Sequence, residues 1–413
     1  MANGFKSLKL HDWRQFAEVD LDLSKRLTVL TGANGAGKTT ILRLLTQHFG
    51  WEAQFLAEPQ LRRSGGLRFF SGLRRKLARV ESDTPNEVQI GELVYSEGET
   101  ATAILPEEQG NPVFQVYFRP MESVYGVYVP SNRPNSAYQR VDSIPTTVES
   151  PDRFIDNYEA DFRNRWSGGH TQFSPTYRLK ESLIALATFG YESAVVRENR
   201  EYVETFEGFQ DVLRSVLPKT LRFERIRIAS PEVILETGTG NFSLDAASGG
   251  ITTLIDLAWR IYMRARTNPE VVVTIDEPEN HLHPELQREL FPGLLKAFPQ
   301  AQLITATHNP FIVGSVSDSN VYVLRYDEDG RVSSQLLDTV NKAGTSNEIL
   351  RDVLGLEFTL PLWVEHRLDE VIERYQAVPI TDESLSALRG EMASLGMGHL
   401  FPEAVAAVVE RAQ

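Results

Sequence analysis

Residues Gly32-Ala33-Asn34-Gly35-Ala36-Gly37-Lys38-Thr39 place glycines, a lysine and a hydroxyl in the pattern G-x-x-x-x-G-K-[ST]. The glycines let a backbone wrap a polyphosphate with its N–H groups pointing inward at a helix N-terminus. Lys38 has the reach for the β- and γ-phosphates, and the Thr39 hydroxyl is placed to ligate magnesium. With Thr40 opening the next helix, Gly32–Thr40 is expected to bind a nucleoside triphosphate. A second kind of chemistry stands at Val-Val-Val-Thr-Ile-Asp276-Glu277, an apolar run that ends in two carboxylates. Asp276 is expected to hold hydrated magnesium and Glu277 to polarise an attacking water. His308 follows Leu303-Ile304-Thr305-Ala306-Thr307, where an imidazole can touch a γ-phosphate and orient the water. Alone it reads more often as a cap or turn residue; with Asp276 and Glu277 the site role is preferred.

Each group needs an element to carry it. Leu27–Leu30 reads as the strand before the phosphate loop and Thr40–Leu45 as the helix after it. The run before Asp276 suits a strand buried on both faces of a parallel sheet. A helix around Pro284–Phe298 then returns the chain to the strand before His308. Ser248-Gly249-Gly250 precedes a helical pattern through Leu254, Leu257, Ala258 and Ile261. It is either a plain Gly-rich helix start or a hydroxyl and N–H groups offered to an anion.

In this order, the phosphate loop, Ser248-Gly249-Gly250, Ile275-Asp276-Glu277-Pro278-Glu279 and Thr305-Ala306-Thr307-His308 resemble an ABC-type ATPase head. The stretch Asp276-Glu277-Pro278-Glu279-Asn280-His281-Leu282-His283-Pro284 resembles the OLD class and its relatives in bacterial anti-phage systems, such as the ATPases of PARIS and Septu. The resemblance implies an α/β P-loop fold with an antiparallel β lobe, a helical insertion and a helical C-terminal tail. It implies ATP and Mg2+ as ligands and a homodimer or higher oligomer, with ATP on Gly32–Thr40 of one copy sandwiched against Ser248–Gly250 of the other. It further implies a sensor or regulator ATPase that controls a separate toxic effector, with a phage protein as candidate trigger. The alternative is a DNA-repair or chromosome-maintenance ATPase similar to RecF or SMC heads. Ala247 and Ile251 depart from the transporter signature, which argues against a transporter subunit. Trp13, Arg14 and Phe16 fall where such heads stack the adenine, although an aromatic after a strand also packs in cores. No Q-loop stands out; Gln89 is the candidate, with Gln109 and Gln115 behind it, and each reads more readily as a surface glutamine.

The 413-residue chain carries no cysteine, which excludes disulfides and thiolate metal sites. No apolar stretch approaches the ~18–20 residues of a membrane span, and Met1–Leu10 lacks a signal pattern, so a cytoplasmic location is expected. A net charge of −14 argues against indiscriminate nucleic-acid coating. Arg62, Arg63, Arg68, Arg74, Arg75, Lys76 and Arg79 run against that balance, with no acidic residue among them. This segment is either a solvated loop or a basic face for DNA, RNA or an acidic partner.

The chain divides as 1–149, an N-terminal ATPase lobe; 150–220, a helical insertion; 221–345, a C-terminal ATPase lobe; and 346–413, a helical tail. Residues 88–130 alternate as an antiparallel lobe that ends in the strand Tyr125–Val129, and strands at Leu221–Ile228 and Val233–Glu236 are expected to return to the main sheet. Asp327-Glu328-Asp329 reads as a hairpin turn before Gly330. Trp363, Glu365 and Asp369 faintly echo a TOPRIM nuclease motif, but too little chain follows for such a domain, so no nuclease activity is expected. Leu368, Val371, Ile372 and Tyr375 form an apolar stripe expected to dock a partner.

Overall fold

A computed structural model of the protein describes residues 3–61, 66–72, 87–106, 111–133, 138–145, 150–338, 344–353, 362–376 and 378–411. The chain forms two compact units, Met1–Ile349 and Leu350–Gln413.

The first unit is built on one large sheet. The chain opens with β1 (Phe5–Trp13), β2 (Phe16–Asp22) and β3 (Leu27–Gly32), followed by helix α1 (Lys38–Thr46). Next come the short β4 (Gln54–Leu56), β5 (Glu58–Leu61) and β6 (Leu67–Phe70), then β7 (Glu87–Tyr95), β8 (Thr100–Pro106), β9 (Val113–Gln115), β10 (Tyr117–Arg119) and β11 (Gly126–Val129). Helices α2 (Pro151–Trp166), α3 (Pro175–Gly190) and α4 (Arg200–Val216) precede β12 (Phe223–Ala229), β13 (Glu232–Thr237) and β14 (Phe242–Ser243). The unit continues with α5 (Gly249–Thr267), β15 (Val272–Asp276), α6 (Pro284–Ala297), β16 (Gln302–Ala306), β17 (Asn320–Tyr326) and β18 (Val332–Leu336).

The large sheet has the order β10-β8-β7-β1-β2-β18-β17-β3-β16-β15-β11. From β17 to β11 every neighbouring pair is parallel. From β10 to β2 every pair is antiparallel. The hairpin β17–β18 joins the halves, with β17 parallel to β3 and β18 parallel to β2. In the parallel half, every residue of β3 and β15 is buried, as apolar runs covered on both faces require. Register then lines up the strand ends: Leu30 pairs with Ala306, Ala306 with Asp276, and Ile275 with Val129.

Two expectations about the strands are corrected here. Tyr125–Val129 does not close the antiparallel lobe; β11 crosses to the far edge and lies parallel to β15. Its run Val127-Tyr128-Val129 is buried, which suits a two-sided strand. Strands β12 and β13 do not return to the large sheet but form a three-stranded sheet with β14. Arg225 and Arg227 project outward from β12 onto Glu236, so this strand can bury only one face.

Helices α2, α3 and α4 pack with α5 into a helical lobe. Phe209 of α4 meets Trp259 of α5 edge-on at 5.0 Å. Fully buried Arg260 ties α5 to the sheet by donating to the Tyr128 carbonyl at 2.6 Å, with its guanidinium over the Phe162 ring. Buried Lys180 pairs with Asp245 at 2.7 Å.

In the second unit, helices Leu362–Gln376, Asp382–Ser394 and Phe401–Arg411 share a core that includes Leu368, Val371, Ile372, Leu388, Met392 and Val408, with Tyr375 packed against it. The stripe expected to receive a partner is therefore taken up by the unit's own core.

Candidate functional site

The phosphate loop follows β3 and opens α1. A Cβ on Gly32, at φ 132°, would stand 2.4 Å from the Leu324 carbonyl oxygen, and one on Gly37, at φ 99°, 2.4 Å from Phe16 and Gln15. Only glycine lets the loop run this close to β17 and β2. Lys38 Nζ donates to the Gly32 and Ala33 carbonyls at 2.8 and 3.0 Å. Burial lowers the Lys38 pKa, while Asp276, Glu277 and Glu279 act to raise it.

Asp276 ends β15 beside this loop. Thr39 Oγ1 donates to Asp276 Oδ2 at 2.9 Å. Burial raises the Asp276 carboxyl to about 6, with the Thr39 hydrogen bond acting against the rise and Glu277 adding to it. A hydroxyl and a buried carboxylate side by side form an all-oxygen donor pair of the kind Mg2+ takes together with phosphate oxygens and water. The residues present fit that ion.

Glu277 is next in the chain but faces the cleft, with a side chain 39% exposed against the buried Asp276. Its backbone is left-handed at φ 48°, a strained state held by a bond from its N–H to the Ala306 carbonyl at 2.9 Å. Asn280 Nδ2 donates to Glu277 Oε2 at 3.1 Å and to the Ser131 carbonyl at 3.2 Å. His308 Nδ1 lies 3.9 Å from Glu277 Oε1 and 3.8 Å from Glu279 Oε1. Glu279 is buried; its Oε1 accepts from Thr307 Oγ1 at 2.7 Å, and its Oε2 has no hydrogen-bond partner among the described residues.

The structure thus brings Lys38, Thr39, Asp276, Glu277 and His308 to one row of strand ends. Sequence reasoning gave no role to Glu279, Asn280 or the 130–133 loop. The first two stand in the same acidic run as Glu277, and a second carboxylate two residues on is a usable signal. The loop acts through a backbone carbonyl, which has no sequence signature.

Ser248–Gly250 opens α5 beside the His281 carbonyl. Its side chains make no hydrogen bond to the phosphate loop, Asp276, Glu277 or His308 among the described residues. Ser248 precedes α5 without a side-chain cap bond, and Gly250 packs toward the His281 carbonyl.

Other expectations change. Trp13 and Phe16 are fully buried and cannot stack on a base: Trp13 donates to the Ser71 carbonyl and meets Phe55 edge-on, and Phe16 backs Gly37. Arg14 sits over the Phe55 ring at 5.9 Å. Gln89 lies on β7 in the antiparallel half, bonded to Glu92, and Gln115 lies on β9 opposite Gln54. Neither is brought to the site; the loop after β11 lies beside the Asp276 strand instead. Gln109 lies outside the described residues, as do Arg62, Arg63, Arg74, Arg75, Lys76 and Arg79. Asp327 accepts from the N–H groups of Asp329 and Arg331 and forms a turn. No helix among the described residues is long and apolar enough to cross a membrane.

Two stretches of the chain match known protein families. Residues 7–93 match a family described as AAA domain, and residues 234–314 match one described as AAA domain, putative AbiEii toxin, Type IV TA system. The first stretch holds the phosphate loop; the second holds Ser248–Gly250, Asp276, Glu277 and His308. The chain is a P-loop ATPase by fold. It is similar to Septu protein PtuA of Bacillus thuringiensis, at 24% identity over 87% of this chain and 86% of that protein. It is also similar to the Retron Vc95 probable ATPase of Vibrio cholerae serotype O1 biovar El Tor, at 21% identity over 77% and 73%. Among solved structures, the SMC head domain from Thermotoga maritima aligns at 12% identity and a TM-score of 0.41, over 81% of this chain and 99% of that one.

Proposed function

We propose that the chain is an ATP-hydrolysing switch that closes as a dimer on ATP and regulates a separate effector in defence against phage. The observation that carries the hydrolysis reading is the row of strand ends, where the Thr39–Asp276 pair, Glu277 and His308 stand beside the phosphate loop. Lys38 and the loop N–H groups hold the phosphates in line. Glu277 accepts the proton of the attacking water, with Asn280 fixing one carboxylate oxygen and leaving the other toward His308. Buried Glu279, held by Thr307, keeps the His308 ring turned to the reacting phosphate. Mg2+ bound by Thr39 and Asp276 would neutralise charge on the phosphate oxygens.

The dimer reading is supported by the start of α5, where the Ser248 side chain makes no cap hydrogen bond. A helix start with free N–H groups suits the γ-phosphate of a nucleotide carried by a second copy. The defence reading is supported by the likeness to proteins named for Septu and retron systems. The effector is a separate protein in this reading, and the location is the cytoplasm.

Steady-state ATP turnover and labelled-ATP binding test the core of the proposal. Lys38→Ala is expected to abolish binding. Glu277→Gln is expected to keep binding within about twofold and lower turnover by roughly 10²–10⁴-fold. Wild-type turnover in Glu277→Gln would overturn the assignment of the base. The cellular arm compares plaque formation in cells carrying the chain and its gene neighbours, wild type or Glu277→Gln. Equal phage resistance in both would remove the link between hydrolysis and defence. DNA-stimulated turnover without any phage phenotype would support the repair or chromosome-maintenance reading instead.

A further inference from the structure

His308 stands two residues past β16, with a side chain 53% exposed and no hydrogen bond to its ring among the described residues. Its direction is therefore inherited from the backbone on either side. Both flanking residues are pinned to the segment that follows Asp276. Thr307 Oγ1 donates to Glu279 Oε1 at 2.7 Å, and Asn309 Nδ2 donates to Gln287 Oε1 at 2.8 Å. The first bond belongs to the site already described; the second reaches a residue that has no role there.

Gln287 lies in the first turn of α6, where its N–H donates to the His283 carbonyl at 3.1 Å. Helical side chains lean toward the N-terminus, so its amide reaches back over the chain that enters α6. There Nε2 donates to the Leu282 carbonyl at 2.8 Å. Backbone groups fix the polarity of this relay at both ends. The Phe311 N–H donates to Asn309 Oδ1 at 2.8 Å, which leaves Asn309 its amino group for Gln287. Gln287 must then accept with Oε1 and turn its own amino group to a carbonyl, which can only accept. A glutamate would set a carboxylate oxygen against that carbonyl. The turn it grips is the one that carries the proposed base: the Asn280 N–H bonds to the Glu277 carbonyl at 3.2 Å, and the Leu282 N–H to the Glu279 carbonyl at 2.9 Å.

We propose that Gln287 is a positioning residue for hydrolysis, which holds His308 through Asn309 in register with the 277–282 turn. The imidazole and Glu277 are then set by one frame, and the two bonds at Thr307 and Asn309 straddle the histidine. Gln287 acts through His308 and not on the nucleotide, so its loss affects turnover and spares binding. The inference rests on the hydrolysis reading of Glu277 and His308 given above.

The test is a double-variant cycle on ATP turnover in the full chain, with ATP binding measured alongside. Gln287→Met keeps the length of the side chain and removes both bonds. It is expected to lower kcat by roughly tenfold, the scale of a misplaced group, and to leave KM and ATP affinity within about twofold. In a His308→Ala background the same change should lower kcat by less than about twofold, because the group it positions is gone. Asn309→Ser keeps an acceptor for the Phe311 N–H but is too short for Gln287. It should reproduce the loss, and it carries the test should Gln287→Met fail to fold. In histidine-labelled protein without nucleotide, the His308 ring signal, identified by its absence from His308→Ala, should shift in Gln287→Met while that of buried His48 stays in place. Unchanged kcat in a folded Gln287 variant, an equal loss with and without His308, or a rise in KM alone would overturn the proposal and leave Gln287 as a cap on the Leu282 carbonyl. Wild-type turnover in His308→Ala would instead refute the site role of His308, and this inference with it.

Discussion

The two halves of the large sheet are built from different sequence patterns and divide the work. In the parallel half, β3 and β15 are buried at every position. In the antiparallel half, β2 alternates exposed and buried positions from Glu18 to Asp22. A strand covered on both faces leaves only its ends accessible, so its chemistry must stand where the strand stops. Four parallel strands do this: β3 leads to the phosphate loop, β15 to Asp276 and Glu277, β16 to His308, and β11 to Ser131. The antiparallel half meets the phosphate loop through its β1–β2 turn, where Gln15 Nε2 donates to the Gly35 carbonyl at 3.4 Å. Its contribution is mechanical, with Phe16 pressed behind Gly37 and Trp13 behind Phe16 at 6.0 Å.

This division makes different kinds of damage separable. Among the variants that separate the two halves, the largest effect is expected at Asp276. Asp276→Asn removes the charged oxygen donor beside Thr39 and should lower turnover by about a thousandfold, the several kcal/mol that a bound cation supplies to phosphoryl transfer. Melting temperature should stay near that of wild type. Loss of fold in place of activity would place Asp276 in the structural class.

Trp13→Ala probes the other half. It empties a fully buried indole site and should cost roughly 3–5 kcal/mol in denaturant unfolding. ATP affinity of the folded fraction should hold within about threefold. A tenfold loss of affinity in protein that remains folded would restore Trp13 as a base-stacking residue and blur the division.

Glu279→Gln is a finer cut within the parallel half. The amide keeps the shape but changes what faces His308 Nδ1 at 3.8 Å. Turnover is expected to fall by roughly 10–100-fold, the scale of a misoriented group, with KM unchanged. A rise in KM alone would assign Glu279 to nucleotide binding.

The smallest effect concerns pH. His48 is buried between the Leu45 carbonyl and the Tyr95 hydroxyl, and burial lowers its pKa from 6.5 to about 4. Between those values the unfolded chain binds the extra proton and the folded chain does not. Stability from this group is therefore complete above about 6.5 and is lost as pH falls toward 4, at no more than roughly 1.4 kcal/mol per pH unit. Urea midpoints at pH 7 and pH 5 should differ less in His48→Phe than in wild type; an equal difference would remove His48 as the cause.

The parallel half was the legible part of the sequence. The runs before Gly32, Asp276 and His308 are apolar throughout and stop at polar groups, so element and chemistry announce each other. The run Val127-Tyr128-Val129 is equally apolar but gives no direction, and its place beside β15 is decided by a crossover that no local pattern encodes. Trp13 and Phe16 show the converse difficulty: an aromatic near a phosphate loop can face a base or a core, and only packing against Gly37 and Phe55 decides. In the tail, the spacing of Leu368, Val371 and Ile372 correctly marks a buried face, but what covers it is set by Met392 and Val408 on other helices.

The central claim is that ATP joins two copies through Ser248–Gly250. It is tested most directly by light scattering of Glu277→Gln protein with ATP and Mg2+, alone and with Ser248→Arg added. The account predicts a doubled mass with ATP in Glu277→Gln and the mass of a single chain in the double variant, with ATP bound to both. A doubled mass in the double variant, or a single-chain mass in ATP-saturated Glu277→Gln, would contradict it.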